Sequence, residues 1–314
     1  IHSTTNSQLD FSSSSYSHNA YVDATPGTGD IYYKGAWRTW VVSGLGAGGN
    51  ASGVIGDKTS TGTGTIFALD VTNPSNFSEA NASSIVIGEV TSSNLSCANT
   101  TPTSCGGYLG NTFGTPLIRR LHNGQWAVIY GNGLNSANGT AGIFVTTFDA
   151  SSGAATTRFL STGYGPSRDP AGGSAKNGIA YIASADLDGD HITDYIYAAD
   201  VFGYVWRFDL TSNSASSWAV KSTPVFSTGG LPIATKLTVS SVAASSGLPR
   251  VMLGMGTGQM FPQTTSASAT YVSGTQYLFG VWDADMYAWN QKGSAQDRKS
   301  TRLNSSHGYI SYAV

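Results

Sequence analysis

Four times along this chain an apolar run ends in a small residue, and a second apolar run, after an insert of variable length, ends in aspartate. Trp40-Val41-Val42-Ser43-Gly44 is answered by Thr65-Ile66-Phe67-Ala68-Leu69-Asp70, and Trp126-Ala127-Val128-Ile129-Tyr130-Gly131 by Ile143-Phe144-Val145-Thr146-Thr147-Phe148-Asp149. Tyr195-Ile196-Tyr197-Ala198-Ala199 precedes Gly203-Tyr204-Val205-Trp206-Arg207-Phe208-Asp209 in the same way. The last pair is Arg250-Val251-Met252-Leu253-Gly254 with Tyr277-Leu278-Phe279-Gly280-Val281-Trp282-Asp283. Runs rich in β-branched and aromatic residues, bounded by Gly, Asn, Ser and Pro, read as strands joined by turns. The first three aspartates lead into polar turns, Val71-Thr72-Asn73-Pro74, Ala150-Ser151-Ser152-Gly153 and Leu210-Thr211-Ser212-Asn213. Repeated hairpins of this kind suit blades packed radially around a channel, an all-β propeller. Turn spacing by itself leaves a β-sandwich open as the alternative. The small residues Gly44, Gly131, Ala199 and Gly254 fall 87, 68 and 55 residues apart. Blades usually repeat every 40–50 residues or so, about half that largest spacing. Residues 50–64 and the loop holding the cysteines are therefore expected to be insertions.

Composition narrows the function classes. Charged residues make up 11% of the 314, less than half the roughly 25% of ordinary domains, and only Glu79 and Glu89 are glutamates. The net charge of -2 gives no electrostatic reason to expect nucleic acid as a partner. No apolar run approaches the roughly 18 residues of a membrane span, so no membrane insertion is expected.

One segment breaks the pattern. Asp297-Arg298-Lys299-Ser300-Thr301-Arg302-Leu303-Asn304-Ser305-Ser306-His307 carries three basic residues and no apolar periodicity. It reads as the translation of a DNA-sequencing adapter. Gly308 and Tyr309 fit a two-codon sample index, and Ile310-Ser311-Tyr312-Ala313-Val314 continues the adapter. Residues 297–314 are therefore expected to lie outside the fold, with the domain cut short ahead of them.

Two features could carry chemistry. Cys97 and Cys105 flank a short polar loop, Ala98 to Ser104. A disulfide in an oxidising compartment is the preferred reading, with two free thiols or an incomplete metal pair as alternatives. The other feature is Asp186-Leu187-Asp188-Gly189-Asp190-His191-Ile192-Thr193-Asp194. Carboxylates at positions 1, 3, 5 and 9 of a tight loop, with the Ile192 carbonyl at position 7, can converge on one hard cation, and Ca²⁺ is the expected ion. Without a cation the four aspartates would repel one another. The loop departs from an EF-hand in having His191 where glycine is the rule, Tyr197 at the twelfth position, and strands rather than helices on both sides. Gly44-Leu45-Gly46-Ala47-Gly48-Gly49 fits a dinucleotide-binding pattern, but the next residues, Asn50-Ala51-Ser52-Gly53-Val54-Ile55-Gly56, cannot form a phosphate-binding helix, and structural turns explain the run better. The histidines ahead of the tail, His2, His18, His122 and His191, have no nucleophile motif beside them, so no catalytic residue is assigned.

Taken together, these segments resemble the C-terminal β-propeller of the PilC/PilY family of type IV pilus factors. Gly35-Ala36-Trp37-Arg38-Thr39-Trp40 with the glycine run and Ala68-Leu69-Asp70-Val71-Thr72-Asn73-Pro74 form one block. Leu109-Gly110-Asn111-Thr112, Pro116-Leu117-Ile118-Arg119-Arg120 and Tyr130-Gly131-Asn132-Gly133 form the next. The aspartate loop with Tyr197-Ala198-Ala199-Asp200 and Trp206-Arg207-Phe208-Asp209-Leu210 is the most specific, and Gly254-Met255-Gly256-Thr257-Gly258 closes the series. The resemblance implies a modified seven-bladed propeller, of which residues 20–296 would hold four or five blades behind a polar segment, 1–19. It also implies a non-enzymatic protein exported through the periplasm to the pilus tip or outer cell surface. Its implied partners are the minor pilins of the tip and a host or abiotic surface. In the family the calcium loop governs whether pili persist or retract, and its ligands correspond here to Asp186, Asp188, Asp190 and Asp194. The cysteine loop and the insert after Gly49 depart from the family pattern. A quinoprotein dehydrogenase and a non-catalytic carbohydrate-binding propeller are the competing readings. Removal of residues 297–314 is expected to leave thermal stability unchanged to within about 1 kcal/mol, as for surface changes generally. A larger loss in a melting experiment would show that the tail packs.

Overall fold

The computed structural model describes residue 14 and residues 20–49, 55–243, 249–263, 268–286 and 309–312. Most of segment 1–19 therefore lies outside the described residues, as do 297–308 and 313–314 of the segment expected to be extraneous. The chain folds as successive antiparallel sheets. The first holds β1 (Gly27–Tyr33), β2 (Ala36–Gly44), β3 (Thr65–Asp70) and β4 (Val86–Thr91), in that order. The second is β5 (Leu117–Arg120), β6 (Trp126–Gly131), β7 (Gly142–Phe148) and β8 (Ala155–Ser161). The third is β9 (Ile182–Ala185), β10 (Tyr195–Ala199) and β11 (Tyr204–Asp209), edged by the short β12 (Ala219–Val220) and β13 (Phe226–Ser227). The fourth has β14 (Thr238–Ala243) and β15 (Pro249–Gly256). A side hairpin of β16 (Met260–Phe261) and β17 (Thr270–Tyr271) comes before its third strand, β18 (Leu278–Trp282). Its fourth strand, β19 (Tyr309–Tyr312), comes from the segment expected to lie outside the fold. An open sheet edge presents unpaired N–H and C=O groups to any extended segment, so this pairing needs no sequence match. Each repeat recognised in the sequence is the second and third strand of one sheet, paired antiparallel.

Strict alternation along these strands joins one sheet to the next. On β6, Val128 and Tyr130 pack with Phe144, Phe159, Trp40 and Val42 in the core between the first two sheets. The intervening Ala127 and Ile129 pack instead with Ile196, Ala198, Trp206 and Phe208 between the second and third. On β10 the other face, Tyr195, Tyr197 and Ala199, meets Val251, Leu253, Met255 and Val281 of the fourth sheet. Strands of the middle sheets are thus buried on both faces, which is why they read as unbroken apolar runs. Each large side chain so buried stabilises the fold by about 1.5–3 kcal/mol relative to exposure.

Two of the small residues closing the second strands, Gly44 and Gly131, sit where a neighbouring segment crosses. A Cβ on Gly44 would lie 2.3 Å from Thr112 Oγ1, and one on Gly131 2.4 Å from the Ile179 carbonyl oxygen. These approaches are closed by polar staples. Buried Asn132 donates to the Tyr108 and Thr140 carbonyls and accepts from the Gly142 and Ile179 amides. Asp200, fully buried in the β10–β11 turn, accepts from the Phe202 and Tyr204 amides, the Trp206 indole and the Asn177 side chain. Burial pushes its carboxyl up to about 6 against the pull of those bonds.

The aspartates ending the third strands prove to have two uses. Asp70, Asp149 and Asp209 accept hydrogen bonds from residues two or three positions on, Thr72, Ser151 with Ser152, and Thr211, and so close the following turn. Asp283 turns inward instead. Its Oδ2 accepts from Tyr197 Oη at 2.9 Å and pairs with the Arg207 guanidinium, joining the third and fourth sheets. Burial works against the Arg207 charge, but Asp283 holds its pKa above the ordinary value. Asp283→Ala is expected to lower stability by about 3–5 kcal/mol, because a buried cation loses its partner. Denaturant unfolding should show a loss well beyond that of Asp149→Ala, whose carboxylate caps an exposed turn.

Candidate metal centre

The aspartate loop joins β9 to β10, and the strands beneath it are held in register by the Tyr195–Ala185 pair. Within the loop the backbone is tied down by the side chains themselves. Asp186 accepts from the amides of Gly189 at 2.7 Å and His191 at 2.8 Å. Asp190 accepts from the Ile192 amide at 2.8 Å, and Asp188 from the Asp190 amide at 3.3 Å. Two left-handed residues turn the chain, Gly189 at φ 79° and His191 at φ 65°. The second stands where an EF-hand uses glycine, and histidine is among the side chains that tolerate this region.

These constraints bring carboxylate oxygens of Asp186, Asp188 and Asp194 within 4.8 Å of one another. Asp190 lies outside that group, its Oδ1 engaged by the Ile192 amide. Asp186 and Asp188 are exposed, whereas Asp194 is buried. Burial raises the Asp194 carboxyl above its ordinary value, and the nearby Asp188 charge adds to this. The Leu187 amide and His122 oppose the shift. Three oxygen donors of like charge, one of them desolvated, fit a hard cation and offer no soft ligand.

His122, assigned no role from the sequence, belongs to this site. Its Nε2 lies 2.8 Å from Asp194 Oδ1, and it comes from the β5–β6 turn of the neighbouring sheet. The Thr193 amide donates to the Arg120 carbonyl of the same sheet at 3.0 Å. The carboxylate at position 9 is thus oriented from outside its own loop, as metal-binding groups commonly are. A separation of 72 residues left no local signal for this contact.

The two cysteines are joined, with Cα atoms 5.8 Å apart, and both are fully buried in the core between the first and second sheets. Their loop lies along β8, where Ala98 donates to the Thr157 carbonyl and Asn99 exchanges two bonds with Phe159. The glycine run after β2 forms a short 3₁₀ turn rather than a phosphate-binding helix. A Cβ on Gly48 would fall 1.6 Å from the Tyr21 carbonyl oxygen, so close backbone approach accounts for that glycine.

Comparison with known proteins places the chain in one family. A model described as the PilY1 beta-propeller domain matches residues 10–306. A type IV pilus biogenesis factor PilY1 homolog of Xylella fastidiosa is 31% identical over 86% of the chain, and PilY1 of Pseudomonas aeruginosa is 30% identical over 85%. The chain spans only 16% and 21% of the length of those relatives. The crystal structure of the Pseudomonas aeruginosa PilY1 C-terminal domain superposes with a TM-score of 0.61 at 29% identity, covering 86% of this chain and 50% of that one. With its serial antiparallel sheets and this match over most of its length, the chain belongs to the PilY1 β-propeller domain family.

Proposed function

We propose that this chain is the calcium-binding propeller of a type IV pilus biogenesis factor, acting at the pilus tip or outer cell surface through protein contacts rather than catalysis. The observation that carries the reading is the convergence of Asp186, Asp188 and Asp194 in a loop tied to the neighbouring sheet. Asp190 and the Ile192 carbonyl complete the ligand set suggested by the sequence, and water fills what remains. The ion supplies positive charge that the three carboxylates lack, and His122 holds Asp194 towards it. Relatives named as pilus biogenesis factors support a role in pilus assembly. Minor pilins and the surface to which the cell attaches are the partners proposed, and calcium occupancy the variable that sets extension against retraction.

Calcium bound only by the folded chain adds RT ln(1 + [Ca]/Kd), about 2.7 kcal/mol at a hundredfold excess. Chelation should remove that increment from the parent's melting temperature, and Asp194→Ala should melt at one temperature with or without calcium. His191→Val, which forces a β-branched residue into the left-handed region at a cost of about 1–2 kcal/mol, should weaken binding roughly tenfold, whereas His191→Gly should not. In a piliated host, Asp194→Ala in the full-length protein should change surface piliation and twitching without blocking secretion. A mutant that calcium still stabilises would remove this loop as the site. Lost binding with normal piliation would leave it a structural staple alone.

A further inference from the structure

The insert between β2 and β3 is fastened well beyond its own sheet. Its stretch Ile55-Gly56-Asp57-Lys58-Thr59-Ser60-Thr61-Gly62-Thr63 has Ile55 as its one large apolar side chain. At its foot the Thr63 amide donates to the Gly49 carbonyl at 2.8 Å. From the β6–β7 connection, buried Asn135 accepts from the Gly56 amide at 2.6 Å, and its Nδ2 donates to Asp57 Oδ1 at 3.1 Å and to the Ser60 carbonyl at 2.9 Å. The Asn135 carbonyl in turn accepts from the Gly62 amide at 2.9 Å. From the connection leading into β9, the Lys176 amide donates to the Lys58 carbonyl at 2.7 Å. Its Nζ donates to the Ser60 carbonyl at 3.0 Å and to Thr61 Oγ1. The Lys58 ammonium stands 5.6 Å from the centre of the Phe202 ring, in the β10–β11 turn. Just past β15, Gln259 Nε2 donates to the Gly56 carbonyl at 3.2 Å. A strap leaving the first sheet is thus tied to segments of each of the other three. Successive connections of an antiparallel meander lie at opposite ends of the sheet, so the strap and the aspartate loop occupy opposite ends.

The ties are polar almost throughout. Segments held by hydrogen bonds with little buried apolar area open locally, at a lower free energy than the whole fold. Ile55 is buried, but every other side chain of the stretch is polar or absent. The strands beneath are held instead by apolar packing on both faces. Nor are the ties independent of one another. Asn135 alone holds Gly56, Asp57, Ser60 and Gly62, and the Ser60 carbonyl is shared between Asn135 and Lys176. Release at one point strips partners from the next, which is the condition for a single cooperative opening. Gly56 is also closely seated. A Cβ there would lie 2.2 Å from Gln259 Nε2 and 3.4 Å from Leu134 Cδ1, and both of those residues line a cavity of about 650 Å³.

We infer that residues 55–63 are a latch, which opens as one unit while the sheets stay folded and uncovers Asn135 and the Leu134–Gln259 wall of that cavity. The test is native-state hydrogen exchange of the full chain, read by NMR at three amides whose bonds cross from strap to body: Gly56, Gly62 and Lys176. In the parent they should share one protection factor, at least about tenfold below that of Ile143 and Ile196 in the central strands. Asn135→Gly removes three side-chain bonds at a residue with φ 60°, where glycine fits without strain. It should speed all three amides by a common factor of about ten, leaving Gly189 and His191 of the aspartate loop unchanged. Gln259→Leu, which cuts the tie to the fourth sheet, should speed Lys176 as well as Gly56. Trypsin gives a second reading, because cleavage after Lys58 needs the strap open and tracks the open population. Asn135→Gly should be cut there about tenfold faster than the parent. Exchange of the three parent amides at the rate of the central strands would overturn the latch. So would acceleration of Gly56 without Lys176 in either variant, or an unchanged rate of cleavage after Lys58.

Discussion

Burial of both faces of a sheet is the constraint on which this molecule depends. A four-stranded meander with one apolar face would be satisfied by a single neighbour. Here β6 and β10 send odd and even side chains into different cores, so each middle sheet is stable only between two others. A one-residue slip would exchange the two faces of a strand and misplace every side chain at once. That register requirement explains why Gly44 and Gly131 stand at the crossing points, and why buried Asn132 and Asp200 have every bond accounted for. Polar groups sealed between sheets must find partners within the fold.

Much of this arrangement was legible in the sequence because it repeats. The run ending in a small residue and the run ending in aspartate recur as neighbouring strands in all four sheets. The period alone does not give the roles of the closing residues. Asp70, Asp149 and Asp209 cap the turns that come after them, but Asp283 occupies the same position and serves as a buried counter-ion. The difference lies in Arg207, on another sheet and 76 residues away. Local pattern cannot report a partner supplied by topology.

The aspartate loop shows the same division. Its spacing and flanking strands could be read directly, and Asp186, Asp188 and Asp194 converge as that spacing suggests. Asp190 stands apart from that group, its Oδ1 accepting from the Ile192 amide. The glycine missing from position six also has a local explanation, since His191 adopts the left-handed conformation itself. His122 could not be read at all. It reaches Asp194 because the β5–β6 turn of one sheet overhangs the β9–β10 loop of the next.

That overhang has a mechanical consequence. The bonds from His122 to Asp194 and from the Thr193 amide to the Arg120 carbonyl are rivets at the rim of a seam whose interior is apolar packing. Apolar contact resists separation weakly over distance, since it is lost as soon as water enters. Directional bonds at the rim must rupture first, and they hold the edge at which water would enter. A tensile load peeling the third sheet from the second would meet resistance at the loop. Stiffening the loop would raise the force needed to open the seam while leaving the resting shape unchanged.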